Sequence, residues 1–128
     1  MLKSNKIGKI QWIHLNRPKE REVKNLGEEF NIHPLIIDEL LLPSDRTKVE
    51  KYDNYIFMVY HLPIYDNEHR TSRRAELDII ATRDQLITVS YEELEPLVQF
   101  EHDLKTRLEG KIRSTAEMIY YIIEEFHT

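Results

Sequence analysis

A layered α/β fold in one domain, residues 1–128, is predicted by three features of the sequence. The chain has 128 residues, 41% of them hydrophobic and 32% charged, with 3 Gly and 5 Pro. A single core of that size buries roughly two thirds of the unfolded surface. The stretch "YDNYIFMVYHLPIY" is apolar on both faces of an extended chain, as a strand covered by helices on either side must be. Amphipathic helical stripes precede and follow it.

The elements follow in order. Ile10–Leu15, with Trp12, Ile13 and Leu15, suits a short strand. Asn16 and Pro18 then open a helix whose stripe is Val23, Leu26 and Phe30, opposite Glu20, Arg21, Lys24 and Glu28, and Asn31 can close it in a left-handed turn. A second, short helix starts at Pro34, whose fixed φ suits the first helical position, and stops at Pro43. Leu35, Ile36, Ile37, Leu40, Leu41 and Leu42 make it apolar nearly all round, which predicts protein on most of its faces. A long strand is expected over Val49–Tyr65, with Tyr55, Phe57, Val59 and His61 on one face and Ile56, Met58, Tyr60 and Leu62 on the other. Asp66–Ser72 reads as a polar turn, and "AELDIIAT" and "QLITVSY" as a hairpin joined at "RDQ". Leu94, Leu97, Val98, Leu104 and Leu108 predict a helix with Gly110 as its C-cap. Ser114 and Glu117 form an S-x-x-E capping box before "MIYYIIEEF". That last helix has a start signal and no stop signal, so the chain is expected to end inside a helix with more protein following in the natural gene.

Composition narrows the function. Absence of cysteine excludes disulfides and thiolate metal sites and suits a cytosolic protein. No apolar run reaches the roughly 18 residues of a membrane span. The formal net charge of −5 repels phosphate, and the one basic cluster, "HRTSRR", lacks interleaved aromatics, so no nucleic-acid partner is expected. Nucleophile-elbow, P-loop, dinucleotide and zincin motifs are missing, and no two histidines lie at ligand spacing on one helix. A small hydrolase built on Asp78, or on His33 with Asp38, lacks a nucleophile and a pocket in the sequence, so no catalytic residue is assigned and an enzyme is not expected.

Carboxylates remain. Asp38 with Glu39, and Glu124 with Glu125, set negative charge among apolar helical positions. Oxygen-only donors of this kind suit hard cations such as Mg2+ or Ca2+, and equally suit an ordinary solvated helix face.

Several ordered blocks resemble the cytoplasmic N-terminal domain of the CorA family of magnesium and cobalt transporters. They are "W-I-H-L" at Trp12–Leu15, "F-x-I-H-P-L" at Phe30–Leu35 with the acidic pair Asp38 and Glu39, "R-x-K-V-E-x-Y-x-x-Y-x-F" from Arg46 to Phe57, "L-I-T-V" at Leu86–Val89, and "A-E-M-I-Y-Y" in the final helix. The resemblance implies a three-layer αβα sandwich with a mixed central sheet, on the cytoplasmic side of the cell membrane, leading into a stalk helix and two membrane helices beyond this sequence. It further implies a homopentamer of full-length subunits, this fragment alone being a monomer or dimer. Mg2+, with Co2+ or Zn2+ as alternatives, would bind between neighbouring subunits and hold the closed state. By position, Asp38 and Glu39 would supply metal ligands and Glu125 a second metal position. The family usually has Glu before Asp, so the longer side chain here is displaced by about 100° around the helix. A zinc-transporting branch shares the pattern, and a stand-alone interaction module is the reading from another class; two apolar segments of about 20 residues encoded after Thr128 would favour the channel.

Overall fold

The computed structural model describes residues 2–127. Along the chain run β1 (Leu2–Ile7), β2 (Ile10–Asn16), α1 (Glu20–Phe30), α2 (Pro34–Glu39), β3 (Lys48–Lys51), β4 (Ile56–Asp66), β5 (Thr71–Ala81), β6 (Gln85–Ser90), α3 (Glu95–Asp103) and α4 (Thr115–Phe126). The strands form one six-stranded sheet in the order β1-β2-β6-β5-β4-β3. Only β2 and β6 run parallel, with Gln11 opposite Gln85 and Asn16 opposite Ser90; the other pairs are antiparallel, so the sheet is mixed.

Each face carries its own core. Ile13, Leu15, Phe57, Val59, Ile80, Ile87 and Val89 pack with Val23, Leu26, Ile36, Ile37 and Leu40 of the α1/α2 layer. Trp12, Met58, Leu77, Ile79 and Leu86 pack with Leu97, Phe100, Met118, Ile122 and Phe126 of the α3/α4 layer. The two-faced apolar strands follow from this: alternate residues of β4 and β5 each meet a helical layer. The three-layer α/β sandwich with a mixed central sheet is as the sequence predicts.

Local signals explain most boundaries. The Glu22 carboxylate accepts from the Lys19 N–H (2.9 Å) at the start of α1, and Asn31 closes it at φ 53°. At α4, the Ser114 hydroxyl accepts from the Glu117 N–H (3.1 Å), while the Glu117 carboxylate reaches back to the Arg113 N–H (3.0 Å). The basic cluster lies on the exposed hairpin between β4 and β5.

Four expectations are corrected. The strand expected over Val49–Tyr65 is two antiparallel strands, because Asp53 and Asn54, good turn formers, reverse the chain. The Tyr52 N–H donates to the Tyr55 carbonyl (2.9 Å) and the two rings stack at 4.8 Å. The helix expected to reach Gly110 stops at Asp103, whose carbonyl takes the N–H groups of both Thr106 (3.1 Å) and Leu108 (2.9 Å) in a run of turns. Leu104 and Leu108 stay buried there and Gly110 has φ 75°. The helix expected from Pro34 to Pro43 ends at Glu39 and is covered on one side only: Leu35 is 66% exposed, and Leu42, in the bend after it, 73%. Finally, β1 had no counterpart in the sequence reading: it is a polar edge strand joined to β2 through Gly8 at φ 60°.

Candidate metal site

Six residues long, α2 is held by its ends. Pro34 stands in its first turn, the His33 Nδ1 accepts from the Leu35 N–H (3.1 Å), and the His33 N–H donates to the Tyr55 hydroxyl (3.0 Å). Buried Ile36, Ile37 and Leu40 fix its roll against the sheet, and that roll turns Asp38 and Glu39 to solvent. The Glu39 carboxylate meets the Lys48 ammonium at 2.6 Å, and Lys48 also approaches Glu50 (3.6 Å). The hydrogen bond it donates to Glu39 raises the Lys48 pKa. Asp38 lies within the electrostatic reach of Lys24, which is itself paired with Glu20 at 2.7 Å.

Glu125 sits on the opposite side of the sheet. On α4 it is buried, and the Arg107 guanidinium donates to it at 2.9 Å while also binding Asp103 at 3.0 Å. Burial and the Asp103 charge push the Glu125 carboxyl up, against the pull of Arg107. At Asp103, burial is outweighed by hydrogen bonds from Gln99 and Arg107, and its carboxyl stays low. The three expected ligands therefore form two separate places, and one chain cannot bring Asp38 and Glu39 to the same ion as Glu125.

The donor chemistry on α2 fits a partly hydrated hard cation, which takes one or two carboxylates and keeps several waters. Within one chain the set is incomplete: among the described residues no three or more Asp, Glu, His or Cys side chains gather as a metal-holding group. Lys48 supplies one positive charge where a divalent ion would supply two.

Behind α2 lies a buried polar network that the sequence reading did not assemble, although Glu76 and Asp78, two apart in "AELDIIAT", must share a sheet face. Glu76 accepts from the Ser44 N–H (2.6 Å), and the Tyr91 hydroxyl lies 2.9 Å from Asp78 Oδ2 and 3.0 Å from the Leu40 carbonyl. The His61 Nε2 reaches the Ser44 carbonyl (2.7 Å) and its Nδ1 the Thr47 hydroxyl (2.9 Å). Asp78 is 1% exposed and closed off from solvent, whereas His33 is exposed and uses its Nδ1 as the helix cap.

Among the described residues no helix is long and apolar enough to cross a membrane. The sequence is 31% identical over 74 residues to the cobalt/magnesium transport protein CorA of Thermotoga maritima, a match covering 57% of this chain and 21% of that protein. In fold it is similar to the soluble domain of CorA from Methanocaldococcus jannaschii, with a TM-score of 0.70, 18% identity, and coverage of 92% of this chain and 47% of that one. The cytoplasmic domain of ZntB from Vibrio parahaemolyticus aligns with a TM-score of 0.69 and 17% identity over 91% of this chain and 47% of that one. The chain thus spans a fraction of the length of these relatives. The profile of the family described as CorA-like Mg2+ transporter protein matches residues 8–128, and over that match the chain belongs to this family.

Proposed function

We propose that this chain is the cytoplasmic metal-sensing domain of a CorA-like divalent-cation channel for Mg2+ or Co2+, without catalytic activity of its own. In this reading Asp38 and Glu39 take a divalent ion together with carboxylates of a neighbouring subunit in a pentamer, and the bound ion favours the closed state. The observation that carries it is the composition of the exposed surface along α2 and the bend after it: two exposed carboxylates come between Leu35 on the helix and Leu42 just beyond it, both apolar and both in solvent. Such a surface is suited to being covered by protein that shares the charge through an ion. Apposed carboxylates repel without the ion, so the ion favours the arrangement that brings subunits together, by its differential affinity alone. A site of one or two carboxylates is weak and follows the cellular concentration by mass action. Glu125 joins such a site only if Arg107 releases it.

Divalent ions are tested on a chain extended by the stalk helix that the family resemblance implies. Mg2+ at about one hundred times its dissociation constant adds about 2.7 kcal/mol to whichever state binds it, read as a rise of a few degrees in melting temperature or as association. Asp38→Ala with Glu39→Ala removes the shift. An unchanged shift in the double variant discards these residues as ligands, and a shift given by Zn2+ with none from Mg2+ at millimolar concentration favours the zinc-transporting alternative.

A further inference from the structure

The network behind α2 is one proton short. Two carboxyls, Glu76 and Asp78, lie side by side in the sheet face under α2, and Glu76 Oε2 and Asp78 Oδ1 are buried without a hydrogen-bond partner. No ammonium or guanidinium is paired with either carboxyl among the described ion pairs. His61 lies 3.9 Å from Glu76 and spends both ring nitrogens elsewhere, Nε2 donating to the Ser44 carbonyl (2.7 Å) and Nδ1 meeting the Thr47 hydroxyl (2.9 Å). Two unpaired buried anions are costly; one proton held by the pair removes one of the two charges and turns an orphaned acceptor into a donor.

The tyrosine makes that proton matter. Tyr91 has a single hydroxyl hydrogen and two acceptors within reach, the Leu40 carbonyl and Asp78 Oδ2. While the acids share a proton, that hydrogen is free to hold Leu40, the residue that caps α2 directly after Glu39. Once both acids are ionised, a carboxylate competes for the same hydrogen, and charge-assisted bonds are roughly twice as strong as neutral ones.

We propose that Glu76 and Asp78 share one proton in the folded chain, and that losing it draws the Tyr91 hydroxyl off the Leu40 carbonyl and loosens the end of α2 and the 41–47 segment. The proton leaves to solvent through the cavity of about 250 Å³ that opens beside Ser44, His61 and Glu76. Its charged surroundings nearly cancel. Asp45 and Arg74 line the cavity, Glu92 is paired with Arg73, and Glu39 on α2 is paired with Lys48 of β3. Burial, then the Glu76 carboxyl, hold the Asp78 carboxyl up at about 9, with Tyr91 pulling the other way. The folded value lies above the unfolded one, so this contribution to stability is whole below about pH 4 and drains as the pH rises toward 9. If α2 is the metal site proposed above, the network is the positioning device for its two carboxylates, and metal binding weakens on the alkaline side.

The test is run in EDTA on the 128-residue chain, so that it does not depend on metal. Tryptic cleavage after Arg46, in the tethered segment, is measured relative to cleavage after Arg70, in the exposed hairpin, from about pH 6.5 to pH 9.5. The parent ratio is expected to rise about tenfold, while in Asp78→Asn and Glu76→Gln, each a stand-in for the protonated acid, it changes less than twofold. Carbon-13 carboxyl signals of the parent should show one of the two acids still protonated at pH 7. A parent ratio that stays flat, or one that climbs equally in whichever variant folds, overturns the proposal, as do two carboxyls both ionised at pH 7. A positive result here with no response to Mg2+ in the stalk-bearing chain would leave the proton network standing and remove the metal.

Discussion

His14 sits in a part-buried chain of hydrogen bonds that suits a neutral ring. The Trp12 indole N–H donates to the Thr88 hydroxyl (2.9 Å), which can then donate to His14 Nδ1 (2.7 Å), and the far nitrogen meets the Ser90 hydroxyl at 3.3 Å. A second ring proton would require the hydroxyl it meets to turn its own hydrogen away. Burial first, opposed by a hydrogen bond to the Thr88 backbone and helped by Lys3, lowers the His14 pKa to about 4. Because the folded value lies below the unfolded one, the stabilisation is complete above about pH 6.5 and is lost as the pH falls toward 4. Urea unfolding at pH 7 and pH 4.5 should therefore show a loss on the order of 2 kcal/mol that His14→Gln lacks; equal losses in the two proteins would refute the assignment. At this scale the sequence showed which carboxylates stand on α2 but not their partners. Lys48 lies nine residues from Glu39 along the chain and Arg107 eighteen from Glu125. Such pairs are set by register and layer, which no local pattern encodes.

Among the elements, α1 packs tightly against α2 at Gly27. A Cβ built on Gly27 would stand 2.8 Å from both Cγ1 and Cδ1 of Ile37. Alanine is worth about 1 kcal/mol over glycine within a helix, and overpacking a core costs typically 1–3 kcal/mol. Gly27→Ala is therefore expected to destabilise the parent and to stabilise an Ile37→Ala background, where the space exists; a denaturant double-mutant cycle gives the sign in each case. The helices were legible because proline, asparagine and the capping serine act over one turn. The break between β3 and β4 was not, because Tyr52 and Tyr55 flank Asp53 and Asn54 with residues that favour strand on either side. The last turns before Gly110 kept their apolar spacing while losing the helix, so a stripe alone does not tell a helix from a run of turns.

Across the whole molecule, the sheet divides the interior into two cores that share no helix. Substitutions on opposite sides should add, since distant sites without common partners do so within about 0.5 kcal/mol. Ile36→Val under α2 and Ile122→Val under α4 are expected to cost about 0.5–1.5 kcal/mol each and to sum. Trp12→Leu with Phe100→Leu, whose rings meet edge to face at 5.2 Å, should depart from additivity by more than that. Chemical denaturation of the single and double variants decides both. The layered class followed from the two-faced strands, whereas the strand order did not, since sequence neighbours β2 and β3 lie four positions apart in the sheet. The parallel pairing of β2 with β6 also reaches into biosynthesis. A strand finished by residue 16 must wait for residues 85–90 to be made before its inner edge is covered, so the emerging chain carries an open, Trp- and Ile-bearing hairpin through most of its translation, and ribosome pausing or a chaperone would be felt first there.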